Sequence, residues 1–122
     1  MHVELTKSKR SIECTRDDII KLIKSGVSKN DEVWISEFYG SYPVLVLHLN
    51  EDNVCIDYFE KDTNIIWTSF SSNLKEIEYI AGGEEWEAPN DVTVTIEEAI
   101  KCVNEFCSNF NKPTCIRWQN LI

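Results

Sequence analysis

The sequence predicts an α+β fold, in which one antiparallel β-sheet of about five or six strands is covered on one face by two α-helices. Three observations support this prediction. Two segments carry apolar residues at helical spacing, several short apolar or alternating runs lie between them, and the connections between these runs are too short for parallel crossovers. The 122 residues are 43% hydrophobic with only four glycines and three prolines, which suits one hydrophobic core. We therefore expect residues 1–122 to form a single domain.

The N-terminal part of the chain is predicted to contain an edge strand and a helix. Residues 2–6 alternate weakly between polar and apolar side chains, which favours a strand. Thr15 can cap the helix, and Asp17 and Asp18 then lie in its first turn, where the helix dipole favours anions. Gly26 can end the helix. Its buried side chains are expected to be Ile19, Ile20 and Ile23, with Leu22 at the margin.

Four further strands are predicted in the middle of the chain, separated by polar turns that indicate an antiparallel meander. They are residues 32–38, 44–49, 54–59 and 65–69. The second of them is apolar almost throughout, so we expect it to be central in the sheet. Alternation along the third divides its side chains between the two faces. One face takes Val54, Ile56 and Tyr58, and the other takes Cys55, Asp57 and Phe59.

The C-terminal part is predicted to contain short strands and the second helix. A strand at residues 76–80 precedes Gly82-Gly83, an acidic loop follows at 84–91, and a short strand occupies 92–94. Thr95 and Glu98 form a Thr-x-x-Glu capping box that begins the helix. Its apolar face is expected to contain Ile96, Ala99, Ile100, Val103, Phe106, Cys107 and Phe110. Pro113 lies beyond the end of the helix, and residues 115–118 resemble a last strand.

The charge is strongly negative and unevenly distributed. The net charge is −9; residues 1–30 carry seven basic and four acidic side chains, and residues 31–122 carry five and seventeen. Such an acidic body repels nucleic-acid phosphates and anionic lipid headgroups, so neither is an expected partner, whereas a basic protein would be attracted. Solubility alone is the other explanation of the charge.

Cysteine usage and the N-terminal sequence favour a cytoplasmic location. The five cysteines are an odd number and none forms a Cys-x-x-Cys pair, which is typical of free thiols in a reducing compartment. The first residues lack the apolar core of a signal peptide, and no run of about 18 apolar residues occurs that could span a membrane.

The chain shows no pattern that indicates catalysis, a metal or a cofactor, so we predict that it is not an enzyme. The only histidines are His2 and His48, and neither is spaced with cysteine as in a zinc site. His48 is interpreted as a hydrogen-bonded structural histidine, and a general base is the alternative. No nucleophile elbow or glycine-rich phosphate loop is present, and neighbouring carboxylates are expected by chance in so acidic a chain.

Two acidic surface features are candidates for binding a partner. In the first, Trp86 lies among carboxylates and would supply contact area while the charges accelerate encounter with a basic protein. The alternative is that its ring folds inward and caps the sheet. The carboxylates around Trp86 are Glu84, Glu85, Glu87 and Asp91. The second feature comprises Asp57, Glu60 and Asp62. It forms either an acidic binding edge or, as we favour, a solvated turn that discourages aggregation.

The order of several C-terminal features resembles immunity protein family one of bacterial polymorphic toxin systems. These features are Gly82-Gly83, the acidic loop, the segment Val-Thr-Val-Thr-Ile-Glu-Glu-Ala-Ile at 92–100, Phe106, Pro113 and Ile116-Arg117-Trp118. The resemblance covers roughly residues 30–119. The matching residues are interpreted as structural, so the family implies no particular binding residue.

The resemblance implies a cytosolic antitoxin-like protein, active in contact-dependent competition between bacteria, that binds a toxin domain and blocks its active site. Family toxins include nucleases and deaminases, which must present basic surface to nucleic acid. The oligomeric state stays open. Two alternatives remain: an adaptor or chaperone-like module with no toxin partner, and a small enzyme or ligand binder with a polar pocket at His48.

Overall fold

The computed structural model describes residues 1–25 and 30–121, and it confirms the α+β class. Two helices occur in this part of the chain: α1 (Arg16–Lys24) and α2 (Ile96–Asn109). The strands are β1 (His2–Leu5), β2 (Arg10–Glu13), β3 (Glu32–Ser36), β4 (Val44–Asn50), β5 (Asn53–Phe59), β6 (Ile66–Phe70), β7 (Glu78–Ala81), β8 (Glu84–Glu87), β9 (Thr93–Thr95) and β10 (Arg117–Gln119).

The main sheet is larger than predicted. It has eight strands in the order β10-β6-β5-β4-β3-β1-β2, with β9 paired to β5, and every pairing is antiparallel. The prediction of five or six strands was too low: seven of the eight strands overlap runs recognised in the sequence, and β2 was missed altogether. Its sequence, Arg-Ser-Ile-Glu, is largely exposed and lacks the alternating apolar residues by which a strand is recognised. The predicted meander is confirmed from β3 to β6.

Strand β5 carries two partners along one edge. Residues 57–59 pair with β6 and residues 53–55 pair with β9, so the two shorter strands separate beside Ile56. The buried hydroxyl of Ser69 fills this gap: it accepts a hydrogen bond from the Ile56 amide (3.0 Å) and donates to the Val92 carbonyl (2.6 Å). The backbone groups freed by the split are thereby satisfied.

Both helices pack on one face of the sheet, as predicted. The core on this side includes Ile19 and Ile23 of α1 and Val103 and Phe106 of α2, packed against inward-facing residues of the central strands. Those strand residues are Val33, Ile35, Leu45, Leu47, Leu49, Val54, Ile56 and Tyr58. Both capping boxes form, at Thr15 with Asp18 and at Thr95 with Glu98. Gly26, the predicted end of α1, lies outside the described residues.

The opposite face of the sheet is partly covered, which the sequence did not predict. Residues 84–91 were expected to be a loop, but β8 pairs with β7 in a separate two-stranded hairpin. Gly82 and Gly83 form its two-residue turn with φ of +61° and +83°, a conformation that favours glycine at both positions. Tyr79, together with Cys55 and Val92, forms a second buried cluster beneath the hairpin.

Candidate protein-binding surface

A buried cluster of ionisable side chains lies on the hairpin side of the sheet. His48 of β4 is 3% exposed and lies between Glu32 of β3 and Asp57 of β5. Its Nε2 is 2.9 Å from Asp57 Oδ2, and its Nδ1 is 2.9 Å from the Ile80 carbonyl oxygen and 3.4 Å from Glu32 Oε2. Thr68 donates to the other Asp57 oxygen at 2.7 Å. Neighbouring strands thus place one imidazole between two carboxylates.

The surroundings of His48 favour the imidazolium. Burial by itself lowers the pKa of His48, but hydrogen bonding to Asp57, the Asp57 charge, the Ile80 carbonyl and the Glu32 charge outweigh it and raise the pKa. Both ring nitrogens face oxygen acceptors, so each donates a hydrogen bond. Because neither nitrogen keeps a free lone pair, the geometry supports a structural histidine and not a general base.

The same cluster fastens the hairpin to the sheet. The Gly82 amide lies 3.1 and 3.2 Å from the two carboxylate oxygens of Glu32, and the Ile80 carbonyl accepts from His48. Asn50 Nδ2 adds a hydrogen bond of 2.7 Å to the Glu78 carbonyl. The buried charges therefore hold the backbone that carries the predicted site residues of β8.

Trp86 takes the inward position that was offered as the alternative interpretation. Its ring packs inward, with centroids 6.0 Å from His48 and 6.5 Å from Tyr79. Its remaining exposed surface lines an open cavity of about 400 Å³ whose other walls include Asp57, Glu84 and Glu85. The inward-packing interpretation is thus correct, and the ring still contributes to an acidic surface.

The structure brings together some of the predicted site residues and separates others. Asp57, Glu84, Glu85 and Trp86 share the 400 Å³ cavity, and Glu87 shares an adjoining groove with Trp86. We call these five residues the Trp86 patch.

The other three candidates lie elsewhere. The Asp91 carboxylate is 3.4 Å from the side-chain amide of Gln119 in β10. Glu60 and Asp62 line a different cavity, of about 570 Å³, together with Tyr42. Ile66 lines both this cavity and the 400 Å³ cavity, so the two are neighbours on the sheet.

The hairpin places like charges beside one another. Glu78 lies directly opposite Glu87 on the paired strand. Glu85 lies opposite Ile80, which is two residues along β7 from Glu78, so Glu85 is a diagonal neighbour of Glu78. The charge of Glu85 is the main reason that the pKa of Glu78 is raised. Cross-strand like charges are unfavourable. Within residues 1–25 and 30–121, the Glu84, Glu85 and Glu87 carboxylates have no Lys or Arg nitrogen within 4.0 Å.

Sequence reasoning missed an aromatic segment between β3 and β4. Phe38, Tyr39 and Tyr42 are 66%, 76% and 51% exposed, although each is a large apolar side chain. The signal was present as three aromatic residues within five positions around Gly40. Aromatic residues are equally common in cores, so this pattern alone does not indicate exposure.

Two further properties concern the described residues only. No three of their His, Cys, Asp or Glu side chains are placed to share a metal ion. Neither described helix has the length and apolar character needed to cross a membrane.

These features describe an α+β domain whose antiparallel sheet has two helices on one face and an acidic hairpin, fastened by a buried His–carboxylate cluster, on the other. The profile of the family described as Immunity protein Imm1 matches residues 15–120, and the chain belongs to this family. No curated protein matches the chain in sequence. Membership assigns a toxin-neutralising immunity role, so the partner is a cognate toxin protein, and families of this kind are generally non-enzymatic.

Proposed function

We propose that this protein neutralises a toxin that acts on nucleic acid, such as a nuclease or a deaminase, by covering its active site. The observation that carries the proposal is the acidic face in a member of an immunity family. A toxin that binds nucleic acid must present basic surface near its reacting groups. Carboxylates without basic neighbours are suited to occupy that surface and to compete with phosphates for it.

The Trp86 patch is the proposed centre of contact. Its partly buried ring offers rigid area, and the repulsion among its carboxylates falls when a basic surface docks against them. An interface of standard size, about 800 Å² on each partner, would take roughly an eighth of the 6796 Å² surface. We further propose that residues 1–122 act as one domain in the cytoplasm of the producing bacterium, within a contact-dependent polymorphic toxin system.

Co-expression tests the function directly. The toxin domain encoded immediately upstream would be induced in a sensitive strain with and without this protein, and the two proteins then purified together. We expect rescue of growth, a stable complex and inhibition of cleavage or deamination of a nucleic-acid substrate. If growth is not rescued although both proteins are folded, the alternative function, an adaptor without a toxin partner, is favoured. If the protein rescues growth from a toxin that acts on a substrate other than nucleic acid, the proposal that the toxin acts on nucleic acid is refuted.

Charge reversal tests the position of the interface. Glu84→Lys with Glu85→Lys should slow association with the toxin at least tenfold at low salt, because the charges that speed encounter are inverted. The dependence of the association rate on ionic strength should also become shallower. Stopped-flow mixing measures both quantities.

The matched control makes the same change of net charge on the helix-covered side. Asp17→Lys with Glu97→Lys alters the first turns of α1 and α2. It should leave the association rate within about threefold of wild type, because encounter is governed by charges near the interface. Equal effects of the two double variants would exclude a localised acidic site.

A further inference from the structure

The loop between β3 and β4 exposes an unusual amount of aromatic surface. Within residues 1–25 and 30–121, six large hydrophobic side chains are exposed, and three of them lie on this loop: Phe38, Tyr39 and Tyr42. We call residues 38–42 the aromatic loop. Solvent-exposed aromatic clusters of this kind mark interaction surfaces, and Tyr is enriched among the residues that dominate binding energy. None of the three belongs to the Trp86 patch.

The aromatic loop is ordered by its own hydrogen bonds. The Ser41 side chain accepts from the Phe38 amide (3.0 Å) and donates to the Phe38 carbonyl (2.9 Å), which also accepts from Ser36 (2.8 Å). Gly40 takes a φ of +72° at the centre of the turn. A loop held in this way loses little conformational entropy when a partner binds, which favours affinity.

A cavity of about 570 Å³ opens beside Tyr42 and has mixed chemistry. Tyr42, Phe59 and Ile65 give it apolar and aromatic walls, and Glu60 and Asp62 give it negative charge. We call it the Tyr42 cavity. Glu60 accepts hydrogen bonds from Trp67 (2.7 Å) and Thr63 (3.1 Å), so its position is fixed. Within the described part of the chain, no Lys or Arg nitrogen lies within 4.0 Å of either carboxylate.

This combination of groups selects one kind of side chain. A guanidinium is planar and always charged, stacks on aromatic rings and forms two parallel hydrogen bonds with a carboxylate. We propose that the Tyr42 cavity receives an arginine side chain of the toxin, and that Phe38 and Tyr39 pack against the toxin surface around it. This inference rests on the proposed function, because the occupant belongs to the toxin.

The two surfaces then have different kinetic consequences. The Trp86 patch acts over a distance through charge and governs association, whereas the aromatic loop acts only in contact and governs dissociation. Because Ile66 lines both cavities, the Tyr42 cavity and the Trp86 patch are neighbours, and one toxin surface can contact both.

The experiment compares dissociation rates of the complex with the upstream-encoded toxin domain. Phe38→Ala with Tyr39→Ala, and separately Tyr42→Ala, should each raise the dissociation rate at least tenfold while the association rate stays within threefold. Leu74→Ala, at a side chain that is 65% exposed outside both cavities, is the matched control and should change neither rate. Tyr42→Phe keeps the ring and should retain the affinity within threefold.

The arginine is tested through Asp62, whose positive φ of 62° is tolerated by asparagine. Asp62→Asn should weaken binding about tenfold, and Asp52→Asn, in the turn at the other end of β5, should not. In the Asp62→Asn background, one toxin Arg→Ala variant should lose most of its effect on affinity, as expected for directly coupled residues. Purified variants must first show unchanged thermal unfolding.

The outcomes separate this inference from the proposed function. If the wild-type protein neither rescues growth nor binds the toxin, the proposed function fails. If it does both, but the aromatic-loop variants dissociate at the wild-type rate, only the aromatic contact is wrong. If those variants dissociate faster but no toxin arginine couples to Asp62, the assignment of the occupant is wrong.

Discussion

Replacing His48 with alanine should lower the free energy of unfolding by about 3–5 kcal/mol, the range measured when one partner of a buried ion pair is removed. The reason is the position of the imidazolium between Glu32 and Asp57, whose side chains are only 2% and 17% exposed. Without it, two carboxylates face each other with little access to water. Urea unfolding of the wild type and of His48→Ala, monitored by tryptophan fluorescence, measures the difference.

The second histidine provides a matched control. His2 also contacts two carboxylates, Glu4 at 3.2 Å and Glu13 at 2.8 Å, but those side chains are 44% and 70% exposed. Water can replace the lost partner there, so the ionic contribution to stability at His2 should be about 1 kcal/mol or less. Comparable losses from His2→Ala and His48→Ala would show that burial of the carboxylates does not control the effect.

The stabilisation by His48 should depend on pH in a defined direction. Its pKa is raised in the folded protein, so the contribution is fully present below the ordinary histidine pKa of about 6.5 and is lost as the pH rises through the folded value. The difference in stability between wild type and His48→Ala should therefore be largest below about pH 6.5 and should shrink as the pH rises through the raised pKa of the folded protein. The charged groups that contact the ring are Glu32 on β3 and Asp57 on β5, and Glu84 and Glu85 line the same cavity as His48.

The buried charges also connect stability with the proposed binding surface. Glu32 accepts from the Gly82 amide and His48 donates to the Ile80 carbonyl, so both ends of this ion pair hold the β7–β8 hairpin. The hairpin brings like charges together at Glu78, Glu85 and Glu87, an arrangement that disfavours its pairing. The His48 cluster offsets this repulsion, and the acidic surface keeps its shape before a partner arrives.

Much of the fold could be predicted because it depends on local rules. Helical spacing and the Thr95–Glu98 capping box identified α2, and alternation in β5 correctly assigned Val54 and Cys55 to opposite faces. β2 and β8 could not be recognised in the same way. β2 has few apolar residues. β8, with the sequence Glu-Glu-Trp-Glu, has one apolar residue, Trp86, and its hairpin is held by contacts with Tyr79 and the distant Glu32.

The candidate site could be predicted only in part, for a related reason. Charge along the sequence indicated Glu84, Glu85 and Trp86, and the structure places Asp57 beside them. The pairing of His48 with Asp57 depends on the register between β4 and β5, in which His48 lies opposite Cys55. The spacing of residues along the sequence does not determine this register. The three aromatic residues of the aromatic loop are visible in the sequence, but only their exposure distinguishes them from core residues of the same types.

Replacing Phe106 with alanine should remove about 3–5 kcal/mol of stability, a large part of the 5–15 kcal/mol typical of a domain. Phe106 is fully buried in α2, and its ring contacts Tyr58 at 6.3 Å and Phe110 at 5.3 Å in edge-to-face geometry. Truncation leaves a cavity between the helix and the sheet that close packing cannot fill. Denaturant unfolding and calorimetry both report the loss.

Phe38→Ala is the counterpart of this variant, because it removes the same atoms from a side chain that is 66% exposed. Its effect on unfolding should stay within about 0.5 kcal/mol. The two variants should thus affect different quantities. Phe106→Ala should lower the free energy of unfolding, and Phe38→Ala should raise the rate of dissociation from the toxin. A large loss of stability in Phe38→Ala would mean that the aromatic loop supports the fold, and its exposed rings would no longer need a partner to explain them.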